Sequence, residues 1–315
     1  MELELKRGGR TARVETLGGA LVSYRDGRGL EYIWGGDPAY WPGRNPLLFP
    51  IVGMLKEGKI RFDGREYAME RHGFARRREF TPAARGEDWV RLELRESAET
   101  LALYPYSFRL AVEQRLTDTG FSTAVTVANP GEGPLPFCLG AHTGFRCPLE
   151  AGERFEDYEL VFPERESCPT LLLRDGLLDR PAALPCLEDT DTLPLDYRWF
   201  DALDTLIFEG LRSRSVTLRS RKSGRGVRVS FDGFPMLAFW TMPGKKAPYL
   251  CIEPWHGCAA GTAEGPEFTD KAHCIVLAPG ESRTLAYRAD TRCVQPCRLS
   301  TPSIVSKLDA IPEIF

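Results

Sequence analysis

The feature that most restricts this chain is a two-residue hydrophobic alternation that returns along most of its length. ELELK (2–6), ALVSYR (20–25), WVRLEL (89–94), FRLAVEQRL (108–116), FSTAVTVA (121–128), SVTLRS (215–220), GVRVSF (226–231), MLAFWT (236–241) and RTLAYRA (283–289) each place apolar side chains on one face. Strand side chains alternate between faces, so the pattern predicts half-buried strands. The 30 glycines and 24 prolines are spread evenly and leave few windows for a long amphipathic helix. Asp63-Gly64, between KIRF and REYAM, suits the positive φ values of a tight hairpin turn. Strands without intervening helices argue for antiparallel sheets packed face to face, not a parallel sheet with crossover helices. The expected fold class is all-β.

Short helical turns are expected at 196–203 and 303–310. The segment 164–192, rich in Pro, Asp, Glu and Leu, reads as a long connection over the sheet, and connections of that length are often functional. The stretch 292–315 loses the alternation and reads as a loosely attached tail of unknown role. A sandwich can use about 200–250 residues as one unit. No composition shift marks a boundary, so one domain over residues 1–291 is expected.

Lysine plus arginine number 41 against 44 aspartates and glutamates, a net charge of −3. That balance gives no electrostatic reason to expect nucleic acid or an anionic membrane as partner. No stretch approaches the roughly 18 apolar residues that span a bilayer. The start, MELELKRGGR, lacks the apolar core of a signal peptide. Nine irregularly spaced cysteines fit reduced thiols better than a disulfide framework. A cytoplasmic location is expected.

Only four histidines occur, so their settings are informative. His72 lies in RHGFARRR (71–78), His142 in LGAHTGFRCP (139–148) and His256 in CIEPWHGC (251–258). Each is followed or flanked by glycine, which permits tight turns and close approach of a ligand to the backbone. His273, in KAHCIVLAPGE, reads as a strand-entry residue. Glu253 is the unusual carboxylate: it stands inside the apolar run YLCIEPW (249–255). A glutamate buried there must be paired, hydrogen-bonded or raised in pKa. Two readings follow, a buried ion pair with an arginine, or a general base at the bottom of a pocket with Trp255 as a sugar-stacking wall.

Six blocks occur in order: NPLLFPIVGMLKEGK (45–59), RHGFAR (71–76), LYPYSFRL (103–110), LGAHTGF (139–145), DTLIFEGLRSRSVTLRS (204–220) and CIEPWHG (251–257). Together they resemble the aldose 1-epimerase (galactose mutarotase) family, in its bacterial LacX-like branch. The resemblance implies a galactose-mutarotase-like β-sandwich, or supersandwich, of large antiparallel sheets, with an open sugar cleft and no cofactor or metal. It puts the family's general base on Glu253 and its general acid on His142. It puts a substrate-orienting histidine on His72, a hydroxyl-binding aspartate on Asp204 and a ligand-contacting arginine on Arg76. The implied partner is a small-molecule aldose, a hexose or hexose phosphate, and the implied assembly a monomer or homodimer. Two positions depart from the family pattern: Met54 stands where an arginine is usual, with Arg44 as a possible replacement, and Thr143 stands where proline is common.

The alternative on the same fold is a non-catalytic carbohydrate-binding or sensing protein. A zinc site from Cys251, His256, Cys258, Cys274, Cys293 and Cys297 would lack the paired C-x2-C signature of structural zinc domains. A two-carboxylate glycosidase would need a second acid facing Glu253, for which Asp204 can be nominated. Arg71, Arg76, Arg77 and Arg78 raise the question of a phosphorylated sugar, because guanidinium forks suit phosphate oxygens. In an extended strand at most two of them would face inward.

Overall fold

The computed structural model describes residues 1–291. The tail 292–315, with the helical turn expected at 303–310, lies outside the described residues. Every alternating segment named above is a strand. A 15-stranded sheet dominates, and all its neighbouring strands pair antiparallel. It runs from Leu47–Leu48 through Leu139–Ala141, Tyr249–His256, Met236–Trp240 and Thr205–Glu209 to Tyr158–Arg174. It continues through Ser215–Ser220, Gly226–Ser230, Ser282–Asp290, Gly120–Ala128, Arg109–Leu116 and Trp89–Arg95 to Thr81–Arg85. A three-stranded sheet (Glu2–Arg7, Arg10–Glu15, Ala20–Arg25) packs against Arg109–Leu116.

The alternation explains which faces are buried. In Gly120–Ala128 the side chains of Phe121, Thr123, Val125 and Val127 are buried while Ser122, Ala124, Thr126 and Ala128 are half-exposed. The inward faces share one apolar core in which aromatics meet edge-on or tilted: Phe49 contacts Phe74, Tyr104, Phe108 and Phe137 at ring separations of 5.4–6.0 Å. Such offset geometries let the electropositive ring edges meet electronegative faces. Tyr249–His256 is different. Seven of its eight residues are buried, because strands flank it on both sides and side chains cover both of its faces.

The expected hairpin forms, with Asp63 at φ 50° and Gly64 at φ 75° between Lys59–Phe62 and Arg65–Ala68. The expected helical turn forms at Tyr197–Leu203, where the Asp196 carboxylate accepts a hydrogen bond from the Arg198 amide. The segment 164–192 corrects the sequence expectation. It is not an irregular connection but most of a long hairpin, Tyr158–Arg174 against Leu177–Pro194, closed by Asp175-Gly176 at φ 51° and 77°. Four register shifts interrupt its ladder, so no clean alternation survives in the sequence. The tip is pinned to the loop after Tyr249–His256: the Leu178 amide donates to the Ala260 carbonyl and the Thr262 amide to that of Leu178, both at 2.9 Å.

One tight turn couples the core to the cleft. Gly73 has φ 69°, and a Cβ there would stand 2.2 Å from the Phe49 carbonyl oxygen. Left-handed strain alone costs about 1–3 kcal/mol for a non-glycine residue, and the clash adds to it. Gly73→Ala is expected to lower the unfolding free energy by roughly 3 kcal/mol or more in urea titrations. A loss below about 1 kcal/mol would mean that this turn is not tightly held.

Candidate active site

The site begins with a register. Strands Leu139–Ala141 and Thr143–Arg146 both pair with Tyr249–His256, Gly140 facing Trp255 and Thr143 facing Ile252. The register is unbroken across the gap between them, so His142 stands directly opposite Glu253. Cross-strand neighbours lie within about 5.5 Å at Cβ. The two side chains meet accordingly, His142 Nε2 lying 3.3 Å from Glu253 Oε1. Pro254 contributes no N–H, which leaves the ladder open beside the pair.

These two groups floor a cleft of about 290 Å³. Ligand pockets start near 300 Å³, so this one suits a single small polar molecule. His72, Asp204, Arg76 and Trp255, all expected at the site, line it. Trp41, Trp240, Met54, Arg71, Leu173 and Gly176 line it as well. The last two come from the tip of the long hairpin, which thereby overhangs the site.

Burial sets the electrostatics. The Glu253 carboxyl is 1% exposed, and its pKa is held well above the usual carboxylate value by loss of water. The Trp255 indole N–H opposes that rise from close by, without a hydrogen bond of good geometry, and the Asp204 carboxylate adds to it. Burial pushes His142 down from 6.5 to about 3, with Arg76 and Arg71 repelling its cationic form. The contact is therefore a neutral acid beside a neutral imidazole, one proton held between two bases, rather than an ion pair. Of the two readings of Glu253, the buried ion pair with an arginine does not form.

The surrounding side chains are held by backbone. His72 sits at φ 67°, and its Nδ1 accepts the Gly53 amide at 3.1 Å. That acceptance leaves the ring proton on Nε2 as a donor for the cleft. Its ring meets that of His142 edge-on at 5.6 Å. Asp204 closes the helix Tyr197–Leu203 at φ 60° and ψ −64°, a strained turn of the kind that persists where neighbours over-determine it. Its carboxylate accepts from Trp240 Nε1 at 3.2 Å and from the Thr205 hydroxyl at 3.1 Å. Trp41 and Trp240 flank His142 at ring separations of 4.9 and 5.6 Å and form a half-buried aromatic wall. Trp255, expected as the wall, is only 5% exposed and belongs to the floor.

The four arginines lie in no strand, Ala75–Arg77 forming a short 3-10 turn, yet only two of them reach the cleft. Arg71 and Arg76 line the cleft, whereas Arg77 pairs with Glu70 and Arg78 with Glu99 outside it. Arg76 donates to the Arg71 carbonyl at 2.9 Å while its buried Nε has no partner. Arg44 does not replace the arginine missing at 54. It pairs with Glu15 and donates to the Gly35 carbonyl, away from the cleft. Arg71 lies there instead, with Nη2 2.8 Å from Met54 Sδ. Thr143, in place of proline, anchors the histidine strand from behind, its hydroxyl 2.8 Å from Asn45 Oδ1 and 3.0 Å from the Tyr287 hydroxyl.

Comparison with known proteins follows the same lines. Residues 1–289 match the aldose 1-epimerase family. The chain belongs to that family. It is 41% identical to the plasmid protein LacX of Lactococcus lactis subsp. lactis over 295 residues, 91% of this chain and 98% of the relative. The chromosomal LacX of that organism is 40% identical over the same shares. Among solved structures, a galactose mutarotase related enzyme from Lactobacillus acidophilus superposes with a TM-score of 0.89 at 26% identity, covering 95% of this chain and all of that one. A galactose mutarotase-like protein from Lactobacillus casei does so with a TM-score of 0.85 at 28% identity, over 93% of this chain and all of its own. The expected galactose-mutarotase-like fold is the one present.

The remaining expectations sort by position. His256 is glycine-flanked like His142 but lies outside the cleft, its Nδ1 2.8 Å from the His273 carbonyl oxygen. The zinc set suggested by spacing does not assemble among the described residues: Cys251 groups with His142 and Glu253, not with His256, Cys258 and Cys274. Cys293 and Cys297 lie outside the described residues. Cys138, Cys147, Cys168, Cys251, Cys258 and Cys274 are free thiols, and no described helix is long and apolar enough to cross a membrane.

The depressed histidine makes stability fall in acid. An unfolded imidazole binds a proton below about 6.5, and folded His142 refuses it until about 3. His72 and His256 are shifted the same way by burial and share the effect. Replacing His142 by Asn is expected to remove part of the stability lost between pH ~7 and ~4, roughly 1–3 kcal/mol in urea titrations. Glu253 has the opposite sign: its raised pKa makes its contribution fade as pH climbs through the folded value, so Glu253→Gln should be the more stable protein at alkaline pH. Parallel stability profiles for wild type and both variants would contradict the burial of this pair.

Proposed function

We propose that the protein is an aldose 1-epimerase that interconverts the α- and β-anomers of a hexose by acid/base ring opening and closure. The observation that carries the reading is the pair itself, a carboxyl and an imidazole in contact on the floor of a sugar-sized cleft. The reaction removes the proton of the anomeric hydroxyl while protonating the ring oxygen. Both steps need a group within about 2.6–3.2 Å of the proton concerned. Glu253 takes the hydroxyl proton and His142 supplies the ring oxygen. The C1–O5 bond breaks, the aldehyde turns about C1–C2, and as the ring closes on the other face Glu253 gives its proton to the carbonyl oxygen while His142 takes one back from the C5 hydroxyl. The number of protons on the pair is the same before and after.

The neutral resting pair is suited to this cycle. Its one proton lies on Glu253 when the cleft is empty, because burial disfavours both charged forms. Sugar oxygens that hydrogen-bond to both groups replace the missing solvation and let the proton pass to His142, creating base and acid together. His72 Nε2–H, Asp204, Arg71 and Arg76 supply hydroxyl partners, and Trp41 and Trp240 supply apolar faces for the sugar. The acid touching Glu253 is a histidine, which favours ring opening over the two-carboxylate mechanism of glycosidases. Cleft-facing Arg71 and Arg76 accommodate a phosphorylated hexose as well as a neutral one, and rates on glucose and glucose 6-phosphate separate the two.

Polarimetry on freshly dissolved α-D-glucose or α-D-galactose tests the reading. Glu253→Gln and His142→Asn are each expected to slow enzymatic equilibration by about 10²–10⁴-fold. His72→Asn should raise KM and lower kcat together, because an orienting donor acts on bound substrate and transition state alike. Near-normal rates in both of the first two variants would remove the mechanism. Sugar binding without any acceleration would establish the sensing alternative.

A further inference from the structure

Strand periodicity places a third chemically active group beneath the pair. Cys251 precedes Glu253 by two residues on the same strand and therefore projects from the same face. Its cross-strand neighbours are Gly144 and Trp240. A Cβ at Gly144 would stand 3.0 Å from the Trp41 ring, so the glycine lets that ring pack closely over this face. The thiol is fully buried. One ligand atom each from His142, Cys251 and Glu253 fall within 4.8 Å of one another, and among the described residues no other trio of histidine, cysteine, aspartate or glutamate does so. Two further buried atoms of the set, His142 Nδ1 and Glu253 Oε2, have no hydrogen-bond partner.

We propose that His142, Cys251 and Glu253 form a binding site for a single thiophilic divalent cation of the zinc and cadmium class. A tetrahedral zinc ion holds nitrogen and oxygen at about 2.0–2.2 Å and sulfur at about 2.3 Å, which sets ligand-to-ligand edges of about 3.3–3.6 Å. The His142–Glu253 edge is already 3.3 Å, and the sulfur has about 1 Å to travel. Charge favours the assembly. Cys251 and Glu253 bind as anions, their protons leaving to solvent, so a divalent ion and a neutral imidazole make a site with no net charge, as a buried position demands. The thiolate selects a soft ion over magnesium or calcium. Three protein ligands leave the fourth position facing the cleft, where the hexose is proposed to bind. Metal occupancy therefore excludes the proton transfers. This inhibitory consequence rests on the epimerase reading; the binding site does not.

Cadmium alone is the probe, because its thiolate complexes absorb in the ultraviolet. Wild-type protein titrated with Cd2+ is expected to develop the thiolate band with one equivalent per chain. Cys274→Ser, which alters a partly exposed cysteine elsewhere, should keep the band, and Cys251→Ser should lose it. A band that survives Cys251→Ser and disappears with Cys274→Ser overturns the proposal. If Cys251→Ser does not fold, His142→Asn retains every cysteine and should bind Cd2+ more weakly by more than the about 10–100-fold that losing an outer-shell partner costs. Unchanged affinity in that variant also overturns it. A separate polarimetric arm adds stoichiometric Zn2+: wild type should stop accelerating anomer exchange and Cys251→Ser should not. Should the protein accelerate no aldose at all, the cadmium arms still decide the metal site, so the two readings fail separately.

Discussion

The structure depends on one antiparallel register, that of Leu139–Arg146 against Tyr249–His256. It brings together an imidazole and a carboxyl that the chain holds far apart, and it does so at a place where water is scarce. Everything distinctive about the cleft follows from that scarcity. In water the two groups would ionise independently and attract each other weakly. In the floor of this sheet, burial raises one pKa and depresses the other, so a single proton is held between two bases. A pair in that condition changes partners for its proton when a ligand brings hydrogen bonds, and it does so without gaining or losing net charge.

The surrounding fold works to make that arrangement tolerable. Burying an acid with an unpartnered Oε2 and an imidazole with an unpartnered Nδ1 costs stability, which a large aromatic core offsets elsewhere. Strain is placed nearby for the same purpose. His72 and Asp204 both adopt positive φ, and each is held by a specific bond, the Gly53 amide in one case and the Trp240 indole in the other. Rigid placement of the acceptors and donors leaves less to organise when a ligand binds. The same crowding that organises the pair brings Cys251 close, so the chemistry that suits proton transfer also suits a soft cation.

Much of the fold was legible because the alternation is a direct record of burial. Where a strand has one wet face and one dry face, its sequence shows it, as in FSTAVTVA. The long hairpin over 158–194 escaped because bulges and prolines shift its register, so the record is scrambled exactly where the hairpin bends toward the cleft. Its tip residues Leu173 and Gly176 carry no local signal of a binding role. Trp41 and Trp240 were also missed. Trp41 lies in a loop without periodicity, and Trp240 ends a strand whose sequence gave no hint of its neighbour, although its pairing beside YLCIEPW was the available clue. Arg44 was the wrong substitute for the missing arginine, since proximity in sequence to Met54 says nothing about which guanidinium reaches it in space.

By itself the sequence determined that the chain builds antiparallel sheets, that Glu253 had to be buried in an apolar strand, and that a few glycine-flanked histidines were the only imidazoles able to serve it. Those are local facts, set by side-chain period and by the cost of burying charge. Which histidine meets the glutamate was decided only by tertiary structure. His142 and His256 have similar neighbours along the chain, but cross-strand pairing is a relation between distant segments, and only the assembled ladder assigns the first to the cleft and turns the second away from it.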